Sequence, residues 1–305
     1  PYATIAKALQ NVLAANCLIV VTNGTTESLG LNVTAAMQGL TIRSNDSSKK
    51  TITQSAANKE IYLQAAASIK GLAFDGFAGL NVADDVQGVE LKEVSLANCH
   101  NSIAGGGLWL GSGAEVTASN LSLLNCYVDA VGCGGGISVG VGASLTIDGF
   151  SMSGCYVSGA NSSGGGIYNS GTTVIKDAEI SSCSTTSDGN GIYNANGATL
   201  VLDGDCDIQS DIYLHSASNI LYVDSDFALK SGASAIPLSP HIEAGYYQVG
   251  SAVVQGYGAH SLTSAQSSAF CMANDLYSLS YDASSVPRAK IIDVSTLGGI
   301  SVSFA

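Results

Sequence analysis

Twenty-four acidic residues face only eleven lysines and arginines in this 305-residue chain, so its chemistry must come from carboxylates, cysteines and aromatic rings. The densest acidic run is Asp203-Gly-Asp205-Cys-Asp207, with Asp211 close behind. Oxygen ligands at alternate positions suit a hard cation such as Ca²⁺. A helix-flanked calcium loop, however, needs Gly at its sixth position and Glu at its twelfth, where this chain has Ile208 and Leu214. Period-two alternation instead places the three aspartates on the outer face of a strand, with Leu202, Cys206 and Ile208 pointing elsewhere. The run therefore reads as a solvated acidic face or a weak surface calcium site, and no other cofactor is implied. For acid–base catalysis, two carboxylates must flank a bond at a defined separation. Asp84-Asp85 is a lone pair in a predicted loop, while Asp148 and Asp177 could stack on neighbouring repeats, where like charge would raise one pKa.

The eight cysteines admit three readings: a disulfide framework, a zinc site or buried thiols. No C-x₂-C pair exists and no histidine stands at ligand spacing, which disfavours zinc. Cys99, Cys126, Cys155 and Cys183 recur at intervals of 27, 29 and 28 residues. Stacked in register they would sit ~4.8 Å apart, beyond the ~3.5–4.5 Å between Cβ atoms that a disulfide requires. A ladder of free thiols packing as small hydrophobes is the expectation.

Those cysteines end repeats headed by glycine runs: Gly105-Gly106-Gly107-Leu108-Trp109, Gly134-Gly135-Gly136-Ile137-Ser138, Gly164-Gly165-Gly166-Ile167-Tyr168 and Gly189-Asn190-Gly191-Ile192-Tyr193. A second column holds Gly113-Ala, Gly142-Ala, Gly171-Thr and Gly197-Ala. A fixed period near 28 residues, short alternating strands and no glycine-free amphipathic run predict about three strands per coil, stacked in parallel. Trp109, Tyr168 and Tyr193 then share an outward column that Ser138 interrupts, and Tyr127 and Tyr156 form another. Exposed rings in a row can stack on sugars or enter a protein partner. They can equally cover a loop or stabilise one another.

Residues 3–15 place Ile5, Leu9, Val12 and Leu13 on one helical face, and the strand Leu18–Thr22, a Gly24 turn and Gly39-Leu-Thr-Ile-Arg43 follow. Here the chain resembles the opening of right-handed parallel β-helix proteins, the pectate lyase-like enzymes and surface adhesins, in which a helix caps the first coil. Its glycine repeats over about residues 89–200 resemble the Gly-Gly-[AGN]-[IL] repeats of bacterial polymorphic outer-membrane proteins, with a cysteine ending replacing their Phe-x-x-Asn motif. The resemblance implies an all-β, right-handed parallel β-helix over residues 1–240, including the capping helix, and a small C-terminal β segment over 241–305. In the tail, Tyr246–Val249, Ala252–Val254, Tyr277–Tyr281, Lys290–Val294 and Ile300–Phe304 are strand candidates; Ser231–Pro240, with its two prolines, reads as a linker or edge-breaking segment, and Gly79–Val86 reads as a loop.

The resemblance further implies a secreted or cell-surface, adhesin-like or structural binding module, with a glycan or protein partner. Polysaccharide-degrading β-helix enzymes cluster aspartates with Arg, Lys or His. Here Arg43 merely ends a strand and Arg288-Ala-Lys290 falls in the tail, so no catalytic residue is expected. A lyase or glycoside hydrolase with a divergent site is the alternative. A net charge of −13 disfavours nucleic-acid and anionic-membrane binding. No apolar run approaches the ~20 residues of a spanning helix. The longest, Cys17–Val21, has the length of a buried strand, and a monomer is expected.

Overall fold

A computed structural model describes residues 2–243 and 245–294. The chain winds as a parallel β-solenoid. Three-residue strands such as Leu108–Leu110, Ile137–Val139, Ile167–Asn169 and Ile192–Asn194 stack into a 10-stranded sheet along one side. The opposite wall contains ten-residue strands, Glu115–Leu124, Ser144–Ser153 and Thr172–Ser181. Two-residue strands at His100–Asn101, Tyr127–Val128 and Tyr156–Val157 form a third sheet. Among the described residues no helix is long and apolar enough to cross a membrane.

Each long strand covers two sequence columns because it bends without breaking. Val116 and Ala118 point inward, then Leu121 and Leu123, with the phase reset at Asn120, whose φ is +52°. The same position in neighbouring coils is Glu93, Gly149 or Asp177, all with positive φ. A second left-handed corner falls at Asn98, Asn125, Gly154 and Ser182, immediately before the cysteines. Asn and Gly tolerate this region best, which accounts for Asn98, Asn125 and Gly154 before three of the cysteines.

The cysteine ladder is as expected. All eight cysteines are free, and Cys99, Cys126, Cys155 and Cys183 are buried in the core, joined by Cys206. Hydrogen bonding to the Cys126 thiol, then burial, pushes Cys155 upward, and burial, with the neighbouring Asp177, Asp203 and Asp205 charges, lifts Cys206 to about 12.

Several expectations change. The capping helix is Ile5–Leu9, not 3–15, and Leu13 is 89% exposed. One turn suffices to place Ile5 and Leu9 over the mouth of the first coil. Thr4 caps its start, and the buried Glu27 carboxylate accepts from the backbone N–H of Ile5 at 2.7 Å and of Ala6 at 3.3 Å. The strand Leu18–Val21 is an edge with Leu18 and Val20 exposed, because nothing stacks on its outer side. Leu80–Val82 is a fully buried strand in what reads as a loop.

Ile236–Pro240 is a coil strand, not a linker. Its alternation buries Ile236, Leu238 and Pro240, and inward apolar packing outweighs the ladder bonds its prolines forgo. Parallel pairing continues beyond residue 240, with Leu221↔Val254 and Ile236↔Phe270, so the solenoid runs to about Met272. An antiparallel pair, Tyr277–Asp282 with Arg288–Asp293, closes the described chain. Tyr246–Val249 forms no strand, since Tyr247 turns inward and donates its hydroxyl to Asn219 O. Ile300–Phe304 lies outside the described residues.

Candidate binding face

The short sheet sets the aromatic column in register: Trp109↔Ser138↔Tyr168↔Tyr193↔Tyr213. Parallel stacking of identical strands forces like side chains over one another, and the rings respond by lying face to face. Tyr168 and Tyr193 stack at 5.1 Å with 6° between planes, and Tyr193 and Tyr213 at 5.1 Å with 12°. The stacked faces are therefore consumed by each other, which leaves edges, hydroxyls and the Ser138 side of Tyr168 for a ligand. Trp109 stands apart, 36% exposed, between Asn81 and Ser138. Ser138 does not open a gap, because Cys133 Sγ lies 3.7 Å from its Oγ and covers it.

Tyr127 and Tyr156 also stack, at 5.1 Å, and His100 extends the row at 5.4 Å from Tyr127. Tyr156 is the terminal ring; the next coil offers Ser184, so its outer face stays open. Burial, then the Tyr156 hydroxyl, raises Tyr127.

The largest cluster is one that sequence reasoning missed. Tyr213, His215, His241, Glu243 and Tyr246 gather at the C-terminal end of the tyrosine stack. Tyr193 Oη lies 2.8 Å from His215 Nδ1. Tyr213 Oη lies 2.5 Å from His241 Nδ1, and His241 Nε2 lies 2.8 Å from Glu243 Oε2. A carboxylate can only accept, so Nε2 of His241 carries the proton and Nδ1 accepts from the Tyr213 hydroxyl. Tyr246, 37% exposed, packs on His241 at 4.3 Å and edge-on to His215 at 5.7 Å. Tyr213 of this cluster also lines a cleft of about 410 Å³, together with Ser187, Asp188, Asp211, Asn274 and Tyr277.

Burial, then the Tyr168 and Asp188 charges, pushes Tyr193 up to about 12; burial and Asp188 raise Tyr213 further. Burial likewise lifts Tyr247. A tyrosine whose folded pKa exceeds its ordinary value of 10 favours the folded state fully below pH 10 and loses that contribution as pH rises through the folded value. Melting temperature is thus expected to hold up to about pH 10 and fall between pH 10 and 12. Phenolate absorbance should rise with unfolding for this group. Full ionisation with no change in the melting temperature would contradict the packing.

The aspartates do not converge. Asp203 pairs with Lys176 at 3.5 Å, Asp205 N donates to Asp177 Oδ1, and Asp207 accepts from Gln209. Asp211 turns away to accept from Asn190 N. Asp203, Asp205 and Asp207 all point outward while Leu202, Cys206 and Ile208 are buried, as the alternation predicts, but Gly204, at φ +59°, puts Asp203 at the end of one strand and Asp205 at the start of the next. Among the described residues no group of three or more His, Cys, Asp or Glu side chains could hold a metal. Asp148 lies opposite Lys176, not Asp177, because Asp177 occupies the left-handed corner opposite Gly149. The like-charge pair is therefore replaced by an opposite-charge one. Asp84 accepts from Ser112 N and belongs to a turn.

The missed residues had partial signals. Tyr62 and Tyr213 occur in Ile-Tyr-Leu triplets like those of the glycine repeats, and both take the same outward register. Set against protein-family models, curated proteins and solved structures, the chain finds no match in any of the three.

Proposed function

We propose that the chain is a secreted or cell-surface binding protein of bacterial, adhesin-like kind, recognising a glycan or protein partner through its aromatic face. The observation that carries this reading is ring surface that the fold leaves unused: Tyr246 stands exposed on two imidazoles, in the cluster whose Tyr213 lines the acidic cleft. Trp109 and the outer face of Tyr156 offer further unstacked surface along the body. A chain of net charge −13 with Asp188 and Asp211 at the cleft repels uronates and sulfated sugars, so neutral or amino sugars are the fitting class.

Glycan-array binding by the wild type, Tyr246→Ala and Trp109→Ala tests it. Loss of one buried ring contact of about 1.4 kcal/mol is tenfold in affinity, so Tyr246→Ala should weaken neutral or amino-sugar binding about tenfold. No binding, or binding that neither variant changes, disposes of the aromatic face as a site.

One observation favours the alternative, a carbohydrate-active enzyme. The Tyr213–His241–Glu243 chain has a hydroxyl, an imidazole and an orienting carboxylate in the order a proton relay needs. Release of reducing ends from neutral polysaccharides, lost in His241→Ala, would move the assignment to that reading.

A further inference from the structure

The last coil and the closing strand pair enclose a second cleft, of about 340 Å³, on the wall of the long strands rather than on the short sheet. Tyr222 stands on one side of it. It is the outward residue of the strand Leu221–Val223, whose other two residues are buried, and Gln255 of Ala252–Gly256 lies next to it in register. Ser285 and Val286, from the turn between Tyr277–Asp282 and Arg288–Asp293, contribute another side. The loop after Gly256 brings in His260 and Ser261, through a turn in which His260 N donates to Tyr257 O at 2.9 Å.

A buried amide orients the imidazole. Gln266 is 8% exposed, and its Nε2 donates to Asp224 O and Phe227 O at 3.1 and 3.4 Å. Its Oε1 therefore faces the other way, accepting from Thr263 N at 3.2 Å and meeting His260 Nε2 at 2.8 Å. An amide oxygen only accepts, so the His260 proton sits on Nε2 and Nδ1 is left as an acceptor. Among the described residues that Nδ1 has no hydrogen-bond partner, and neither do the side chains of Tyr222, Gln255, Ser261 and Ser285. Five polar groups thus line one cleft with their bonding capacity intact.

What these groups accept defines the ligand. His260 Nδ1 requires a donor, while the Gln255 amide and the hydroxyls take both donors and acceptors. No lining side chain carries a carboxylate, an amine or a guanidinium, and Arg288, beside Gln255 in register, is paired with Asp282 at 3.6 Å. A cation therefore finds no counter-charge here, and an anion is repelled by a chain of net charge −13. Tyr222 and Val286 add apolar surface. A pyranose combines hydroxyls that donate and accept around its edge with a face of C–H groups that packs on an aromatic ring. The volume falls within the ~300–1,000 Å³ of small-molecule sites. We infer that this cleft binds a neutral sugar ring, with Tyr222 against the ring face and His260 Nδ1 and Gln255 taking its hydroxyls. It is separate from the Tyr246 face, and neither site requires the other.

The histidine rings make the test local. Long-range proton–nitrogen correlation spectra of the full chain report His260 in this cleft, and His215 and His241 beside Tyr246, as separate signals. Glucose, galactose, mannose, glucosamine and glucuronate are each titrated to tens of millimolar. At least one neutral sugar should shift His260 saturably and leave His215 and His241 in place, and its charged counterparts should bind more weakly. Tyr222→Ala should weaken that binding about tenfold, the loss of one ring contact, and Gln255→Ala should weaken it too, while Tyr246→Ala leaves it unchanged. Both cleft variants alter outward side chains, and matching circular dichroism melts would verify their fold. A His260 signal that no neutral sugar moves overturns the inference, even where His215 and His241 respond. So does a shift that survives in both Tyr222→Ala and Gln255→Ala, or tighter binding of glucosamine or glucuronate.

Discussion

Replacing Gly135 by alanine is expected to cost about 3–5 kcal/mol, far more than a surface glycine substitution. A Cβ at this position would meet Gly165 O and Tyr156 O, each at 2.4 Å, and Tyr156 C at 2.5 Å. These are backbone atoms of the next coil, and they cannot move without shearing two sheets. Gly106 and Gly165 face equivalent contacts, with Gly106 placing a Cβ at 2.3 Å from Tyr127 O. The middle glycine of the three Gly-Gly-Gly runs is thus a spacer that lets the chain cross between the cysteine corner and the short sheet, while the fourth run carries Asn190 at that place. Gly142→Ala is the control. There φ is +70° but the nearest atom is 3.9 Å away, so only the left-handed backbone cost of about 1–2 kcal/mol applies. Urea unfolding of both variants checks the ordering; if Gly135→Ala costs no more than Gly142→Ala, the close-approach account is wrong.

The second large effect is at the other end. Glu27→Ala should destabilise the first coil by about 3 kcal/mol. The substitution leaves the buried N–H groups of Ile5 and Ala6 without their carboxylate partner. Charge-assisted bonds contribute about 1.5–3 kcal/mol each, and the desolvation relieved by removing a buried charge offsets part of that. Thr4→Ala, which loses only the bond from Lys7 N at 3.1 Å, should cost about 1 kcal/mol. Amide exchange should quicken at Ile5, Ala6 and the Leu18–Val21 strand in Glu27→Ala, while Tyr247 and its neighbours at the far end stay protected. Coils touch only their neighbours, so the loss stays local. Uniform acceleration along the whole solenoid would contradict that.

The coil was legible in the sequence because stacking imposes repetition. Glycine runs, Gly-Ala turns and the residues before each cysteine all mark backbone constraints that recur every 28 residues or so, and the parallel fold and the thiol ladder followed from them. The candidate site was legible only in part. Trp109, Tyr168 and Tyr193 announced themselves inside the glycine frame, but the stacking that consumes the tyrosine faces depends on ring rotation, which composition does not encode. The histidine cluster was hidden by Pro237 and Pro240. Taken as a linker, that stretch conceals that Leu214 pairs with Pro240, so His215 and His241 follow the ends of adjacent strands. Glu243 and Tyr246 lie in a turn with no counterpart in other coils, and no repeat could have placed them. The aspartates point outward as the alternation predicts; what it could not show is the corner at Gly204 that sets Asp203 and Asp205 on separate strands.

The stacking has a mechanical consequence. Every described strand before the closing antiparallel pair is bonded only to the coils directly before and after it, and the two ends of the solenoid lie at opposite ends of the body. Tension applied through the chain ends therefore peels one winding at a time. With the cysteine markers spaced 27, 29 and 28 residues apart, each of those windings set free adds roughly 100 Å of contour length at ~3.5 Å per residue. Extension would proceed in steps that are near-equal over the cysteine-marked windings, each absorbing load while the remaining windings keep their shape.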